Sequence, residues 1–212
     1  MVNETQQWYI DWIKANPSAP GASYALYHIS DPKIVVEYAG LLKDGALTSM
    51  FYPYTENTIL RAKQILQRRM AQQSLNDNKV EAPDFSLNDL NGNSVSLSDF
   101  RGKWIIIDFW GSWCSPCLKG MPELKEIYRQ YGDKIAIIGV DCNDTEEIWR
   151  NAVDHLELPW ISLYQPKEGI VTKIYSVSAF PTKVVINPNG KIQKIYSGAS
   201  PTFKDDLAEW LK

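Results

Sequence analysis

The sequence predicts an α/β fold with a mixed central sheet and helices on both faces, preceded by a small all-helical domain. Apolar residues in roughly the first 75 positions recur at helical spacing. Further on, short runs of β-branched residues alternate with helical patterns, which is typical of parallel strands. Near the end, Pro188-Asn189-Gly190 joins two strand patterns before a closing helix, which predicts an antiparallel pair beside the parallel strands.

The composition excludes several classes of protein. The chain has 212 residues, of which 44% are hydrophobic, so it can bury one large core or two modest cores. Its formal net charge of -3 gives no reason to expect a nucleic acid or an anionic membrane as a partner. Three cysteines are too few for a disulfide-rich scaffold. No apolar run is long enough for a transmembrane segment, and the first ten residues do not resemble a signal peptide.

We predict a helical domain at residues 1–75, a linker at 76–81 and a second domain at 82–212. The first helix carries Trp8 and Trp12 and stops before Asn16-Pro17. Asp31-Pro32 supplies a capping side chain and a first-turn proline for another helix, which we expect to stop near residues 44–45. The linker is polar and has no apolar periodicity.

In the second domain, the Asn91-Gly92 pair predicts a hairpin. Buried strands are predicted at residues 104–109, 135–140 and 183–186, and a further strand at 191–196. The sequence NDTEE at 143–147 predicts a capped helix, and Ser200-Pro201 predicts the start of the last helix.

Residues 104–117, WIIIDFWGSWCSPC, lead from a buried strand to two cysteines. The apolar positions that follow predict a helix that begins at about Ser115, so Cys114 stands at its N-terminal edge. A thiol there faces the positive end of the helix dipole and unpaired N–H groups, which favour the thiolate. We therefore predict that Cys114 is the nucleophile and the more exposed thiol, and that Cys117, one turn further, is its resolving partner.

These residues resemble a known family. The pattern DFWxxWCxPC resembles the active site of thioredoxins, and residues 82–103 resemble the TlpA/ResA branch of thioredoxin-like thiol-disulfide oxidoreductases. The resemblance extends from about residue 80 to residue 212. It implies a thioredoxin fold and an enzyme that exchanges disulfides with protein substrates and receives electrons from an upstream donor. The redox-active Cys114–Cys117 disulfide would be its only redox group, without a bound cofactor or metal.

The resemblance also implies a role for Asp108, which matches the buried acid of thioredoxins. There it would accept a proton from Cys117, and its presence favours a reductant. Because a carboxylate loses hydration on burial, we expect Asp108→Asn to be more stable and slower. The branch has a glutamate three residues after the second cysteine, whereas this chain has Gly120. Glu123 is expected to face solvent.

Four residues are predicted to contact the substrate: Trp113, Pro116, Phe180 and Pro181. Phe180-Pro181-Thr182 matches the loop in which thioredoxin-like proteins hold a cis-proline, whose backbone would pair with an extended substrate. Trp110 and Trp113 are expected to flank the site and to combine core packing with an apolar rim. Ser115-Pro116 is expected to influence the redox potential.

Two alternative functions remain open at this stage. A thiol peroxidase of the peroxiredoxin kind shares the fold, but it would have a threonine where this chain has Gly111. The other alternative is a helical module that recruits a partner for a dedicated redox domain. Cys142 is expected to be an unreactive buried thiol. The family habit predicts a periplasmic or other extracytoplasmic location, and a cytoplasmic one stays open.

Overall fold

The structure is a computed structural model that describes residues 4–167 and 169–212. The chain divides into two compact units, Met1–Met70 and Ala71–Lys212. Both have their own buried apolar residues, which is the usual mark of separately organised units.

The first unit is helical throughout. It contains α1 (Glu4–Ala15), α2 (Pro20–Tyr27), α3 (Pro32–Ala39) and most of α4 (Tyr52–Asn78). As predicted, the Asp31 side chain caps α3 by accepting the Lys33 N–H at 2.8 Å. The helix ends earlier than predicted, at Ala39, and residues Asp44–Ala46 form a separate 3-10 turn.

The predicted linker is partly helical, because α4 continues to Asn78. The Gln73 amide donates to the Asp77 carboxylate at 2.7 Å, one turn along the helix. Leu75 packs against a core cluster of the second unit, and the Asn76 side chain accepts the Ile195 N–H at 2.9 Å. Polar residues that the sequence assigns to a linker therefore stabilise the last turns of a helix.

The second unit is a seven-stranded mixed sheet with helices on both faces, as predicted. Its elements are β1 (Ser86–Asp89), β2 (Ser94–Ser96), β3 (Trp104–Trp110), α5 (Ser115–Tyr131), β4 (Ile135–Cys142), α6 (Glu146–His155), β5 (Ile161–Gln165), α7 (Ile170–Ile174), β6 (Thr182–Ile186), β7 (Ile192–Ser197) and α8 (Phe203–Trp210). Helices α5, α6 and α8 contribute side chains to the core on one face, and α7 to the core on the other.

The strand order is β2-β1-β5-β4-β3-β6-β7, with β3, β4 and β5 parallel. Strand β3 lies between β4 and β6, so its carboxyl end, where the cysteines follow, is near the middle of the sheet. The β3 side chains are almost completely buried, because strands flank it on both sides and helices cover both faces.

Strand β5 and helix α7 were not predicted from the sequence. Strand β5 contains two polar residues, Ser162 and Gln165, and α7 has only five residues, too few to show a helical period. The last helix begins at Phe203 rather than at Ser200-Pro201, and its N-cap residue, Thr202, forms no capping side-chain bond.

Candidate active site

The two cysteines stand at the start of α5, as predicted. Cys114 is the N-cap residue, and α5 begins at Ser115. The Cys117 N–H donates to the Cys114 Sγ at 3.3 Å. The two sulfurs form a disulfide, with the Cα atoms 5.2 Å apart. The Cys114 sulfur therefore occupies the place where a helix offers its unpaired N–H groups to a negative charge.

Both cysteines are buried in this disulfide form. Cys114 is 4% exposed and Cys117 is 2% exposed, and both belong to the core cluster beneath α5. Cys114 is therefore only slightly more exposed than Cys117, although a clear difference was predicted. The two sulfurs differ in that the Cys114 Sγ accepts a hydrogen bond from a backbone N–H.

Asp108 lies on the sheet face that α5 covers. Its neighbours at alternate positions of β3, Ile106 and Trp110, belong to the same core cluster as the two cysteines. The register pairs Asp108 with Lys183 of β6, and the Lys183 Nζ lies 3.1 Å from the Asp108 Oδ1. Both side chains are at most 10% exposed, so the pair is a buried ion pair.

Burial raises the pKa of Asp108, and the Lys183 ammonium offsets only part of that rise. The carboxyl therefore binds a proton more readily than a solvated aspartate does. Lys183 was not predicted from the sequence as a site residue. The available signal was a single cation in the otherwise apolar strand TKVVI, since a buried charge needs a partner.

The loop before Cys114 is held by the end of β4. The Ser112 N–H and Oγ donate to the Asp144 carboxylate at 2.7 and 2.9 Å. The Trp113 indole N–H donates to the Cys142 carbonyl at 2.9 Å. A Cβ atom on Gly111 would lie 2.8 Å from that carbonyl oxygen, so only glycine allows this approach. From the sequence, Asp144 was predicted only to lie at the start of the next helix.

The predicted substrate-contacting residues surround the cysteines. Trp113 is 52% exposed, and its ring meets that of Phe180 edge to face, with the centroids 5.2 Å apart. The Phe180–Pro181 peptide bond is cis, as the resemblance implied. The Pro181 carbonyl already accepts the Gly198 N–H at 2.7 Å, so that oxygen is engaged within the chain. Pro116 and Pro181 line one groove of about 350 Å³.

Trp110 is completely buried and belongs to the core, so the rim contains Trp113 without Trp110. Gly120 and Lys183 line the groove at Pro116, and Glu123, exposed as predicted, stands at its edge. A Cβ atom at Gly120 would meet no atom within 4 Å, so the fold leaves room for a Cβ at this position.

Cys142 is buried on the opposite sheet face from the two active cysteines. Burial raises the pKa of the Cys142 thiol. Its thiol is therefore a poor nucleophile at neutral pH. Within residues 4–167 and 169–212, no cluster of histidine, cysteine and acidic side chains has the arrangement of a metal site.

The AhpC/TSA family matches residues 79–195, which is more than half of the chain. The chain belongs to this family. It is 37% identical over 133 residues to the thiol-disulfide oxidoreductase ResA of Bacillus thuringiensis subsp. konkukian, covering 62% of this chain and 75% of the relative. The residues that the family matches include the Cys114–Cys117 pair. The protein is a thiol-disulfide oxidoreductase with a thioredoxin-like fold.

Solved structures agree with the assignment. The thioredoxin domain of a thiol-disulfide oxidoreductase from Bacteroides vulgatus superimposes with a TM-score of 0.59 at 31% identity, over 63% of this chain and 97% of that domain. An exposed lipoprotein thioredoxin from Streptococcus pneumoniae gives a TM-score of 0.54 at 30% identity, over 61% of this chain and 98% of the other. Among the described residues, no helix combines the length and apolarity needed to cross a membrane.

Proposed function

We propose that this oxidoreductase acts as a reductant of protein disulfides. The Cys114 thiolate attacks one sulfur of a substrate disulfide, which forms a mixed disulfide and releases the other substrate sulfur as a thiolate. The Cys117 thiolate then attacks the Cys114 sulfur, which closes the intramolecular disulfide and releases the second substrate thiol. An upstream dithiol donor returns the pair to its reduced form.

The observation that carries this proposal is the buried Asp108 carboxyl on the same side of the sheet as both cysteines. Resolution of the mixed disulfide requires Cys117 to lose its proton in a buried setting, where solvent is a poor acceptor. A carboxyl whose pKa burial has raised is suited to accept that proton. Lys183 keeps the carboxyl in place through the 3.1 Å ion pair.

The substrate side of the site is formed by the exposed Trp113 and by Phe180, Pro181 and Pro116. An apolar rim beside a groove suits an extended polypeptide segment next to the substrate cysteine. We place the protein outside the cytoplasm. The exposed location in the name of the pneumococcal neighbour and the TlpA/ResA resemblance support this placement.

A thiol peroxidase fits the site less well. A peroxiredoxin-like threonine would have to replace Gly111, where even a Cβ atom would lie 2.8 Å from the Cys142 carbonyl oxygen. The loop that Asp144 and the Cys142 carbonyl hold would have to move to accept it.

The test combines trapping with a redox titration. Cys117→Ser should accumulate mixed disulfides with protein substrates through Cys114, whereas Cys114→Ser, the matched control, should trap none. Equilibration of the wild type with a thiol buffer should give a potential closer to about -270 mV, the value of thioredoxin, than to about -120 mV, that of a strong oxidant. A potential near the upper value would contradict the reductant role.

A further inference from the structure

Asp141 is a buried acid that the exchange reaction described above does not use. It is the second-to-last residue of β4, and the register places Trp110 and Tyr164 beside it on the neighbouring strands. Its side chain is 0% exposed. In the part of the chain that the structure describes, both of its carboxyl oxygens are buried without a hydrogen-bond partner. Buried polar atoms in native proteins rarely lack partners, so this acid requires an explanation.

The surroundings of Asp141 connect it to the active-site loop. Its carboxyl group lies close to that of Asp144, three residues further along the chain. Asp144, only 8% exposed, accepts both the N–H and the Oγ hydrogen of Ser112. Ser112 lies two residues before Cys114, whose sulfur accepts a backbone N–H at the start of α5.

We propose that Asp141 is a positioning residue for thiol-disulfide exchange. With its proton in place, it allows Asp144 to remain against Ser112, and Ser112 fixes the backbone that leads into Cys114. The inference rests on the proposed role of Cys114 as the nucleophile. Loss of the proton would place two carboxylates side by side in a buried setting, where like charges repel strongly. Asp144, the less buried of the two, would then turn towards solvent and release Ser112.

The proton is retained at neutral pH. Burial raises the pKa of Asp141 to about 8, and the nearby Asp144 carboxyl adds to the rise. Burial also raises the pKa of the adjacent Cys142 thiol, so that thiol stays neutral across this range. Among the described residues, titratable groups on the neighbouring elements include Tyr164 on β5, Asp108 with Lys183 on β3 and β6, and Glu146 and Glu147 in the first turn of α6.

The direct test follows the Ser112 amide resonance by NMR during a pH titration of the full chain. In the wild type, its chemical shift should move with a midpoint near pH 8, as the bond to Asp144 breaks. In a Cys117→Ser background, the reaction rate of Cys114 with a neutral disulfide, corrected for its thiolate fraction, should fall several-fold at the same midpoint. A merely structural role for Asp141 would alter thermal stability without this inflection.

Asp141→Asn should abolish both pH transitions and keep the neutral-pH behaviour throughout. Asp154→Asn, on an exposed position of α6, is the matched control and should show the wild-type transitions. An unchanged Ser112 titration in Asp141→Asn, or no titration in the wild type, would overturn the proposal. If Asp141→Asn does not fold, the wild type supplies the test. The NMR chemical shifts of its Asp141 carboxyl carbon and its Ser112 amide should then change with the same midpoint pH. Two different midpoints would also overturn it.

The result can be separated from a failure of the proposed function. If brief alkylation of the reduced wild type labelled Cys117 first, the role of Cys114 would be refuted. The Ser112 titration would still decide whether Asp141 controls the loop.

Discussion

Replacement of Asp108 by asparagine tests the buried ion pair and the proton transfer together. The attraction between charges 3.1 Å apart is about 5 kcal/mol at an effective dielectric constant of about 20. The cost of removing a carboxylate from water is also several kcal/mol. Burial raises the pKa of Asp108 in spite of Lys183, so the desolvation cost is the larger of the two. We therefore expect Asp108→Asn to be more stable at neutral pH, by about 1 to 3 kcal/mol.

The pH dependence of the free energy of unfolding tests whether ionised Asp108 lowers the stability of the protein. Folded Asp108 keeps its proton to a higher pH than unfolded Asp108, so the wild type should lose stability as the pH rises from about 4. Asp108→Asn lacks this loss, and its advantage should disappear in acid. Urea denaturation of the oxidised proteins at acid and neutral pH measures the difference. The matched background is Lys183→Gln, in which the gain from Asp108→Asn should be larger because no attraction offsets desolvation.

The same variant should be a slower enzyme. Without Asp108, Cys117 must give its proton to water, so the mixed disulfide should persist at neutral pH. The difference in decay rate between the variant and the wild type should disappear as the pH rises past the pKa of a free thiol, about 8.5. Quenched-flow measurement of mixed-disulfide decay gives both rates. Equal decay rates at neutral pH would refute the proton-acceptor role of Asp108. In the urea experiment, a variant less stable than the wild type at neutral pH would refute the claim that the desolvation cost of the carboxylate exceeds its attraction to Lys183.

Two further predictions concern the cysteines and the glycines. In the reduced protein, brief alkylation at neutral pH should label Cys114 before Cys117 and leave Cys142 unlabelled until unfolding, which mass mapping can show. Gly139→Ala should destabilise the protein by about 1 to 3 kcal/mol, because its Cβ would lie 3.1 and 3.3 Å from two indole nitrogens. The control Gly120→Ala, with no atom within 4 Å of the new Cβ, should instead gain about 0.5 to 1 kcal/mol in thermal denaturation.

The sequence alone determined the parts of the site that are contiguous in the chain. The strand at residues 104–109, the cysteine pair and the helix that begins at Ser115 all follow from local patterns, and the structure has them in those places. Local capping rules likewise identified the start of α3. The cis bond before Pro181 came from the family resemblance. These features depend on residues close together in sequence, so a single segment contains the necessary information.

Only the tertiary structure decided which distant side chains lie around the cysteines. Lys183 reaches Asp108 because β6 pairs with β3 in a register that places the two residues opposite each other, 75 positions apart. Asp144 reaches Ser112 because the parallel pairing of β3 and β4 brings the ends of both strands together. Strand register depends on which apolar faces of two strands pack together, so a segment does not define it without its partner strand. The positions of these charged side chains around the site therefore became visible only in the assembled sheet.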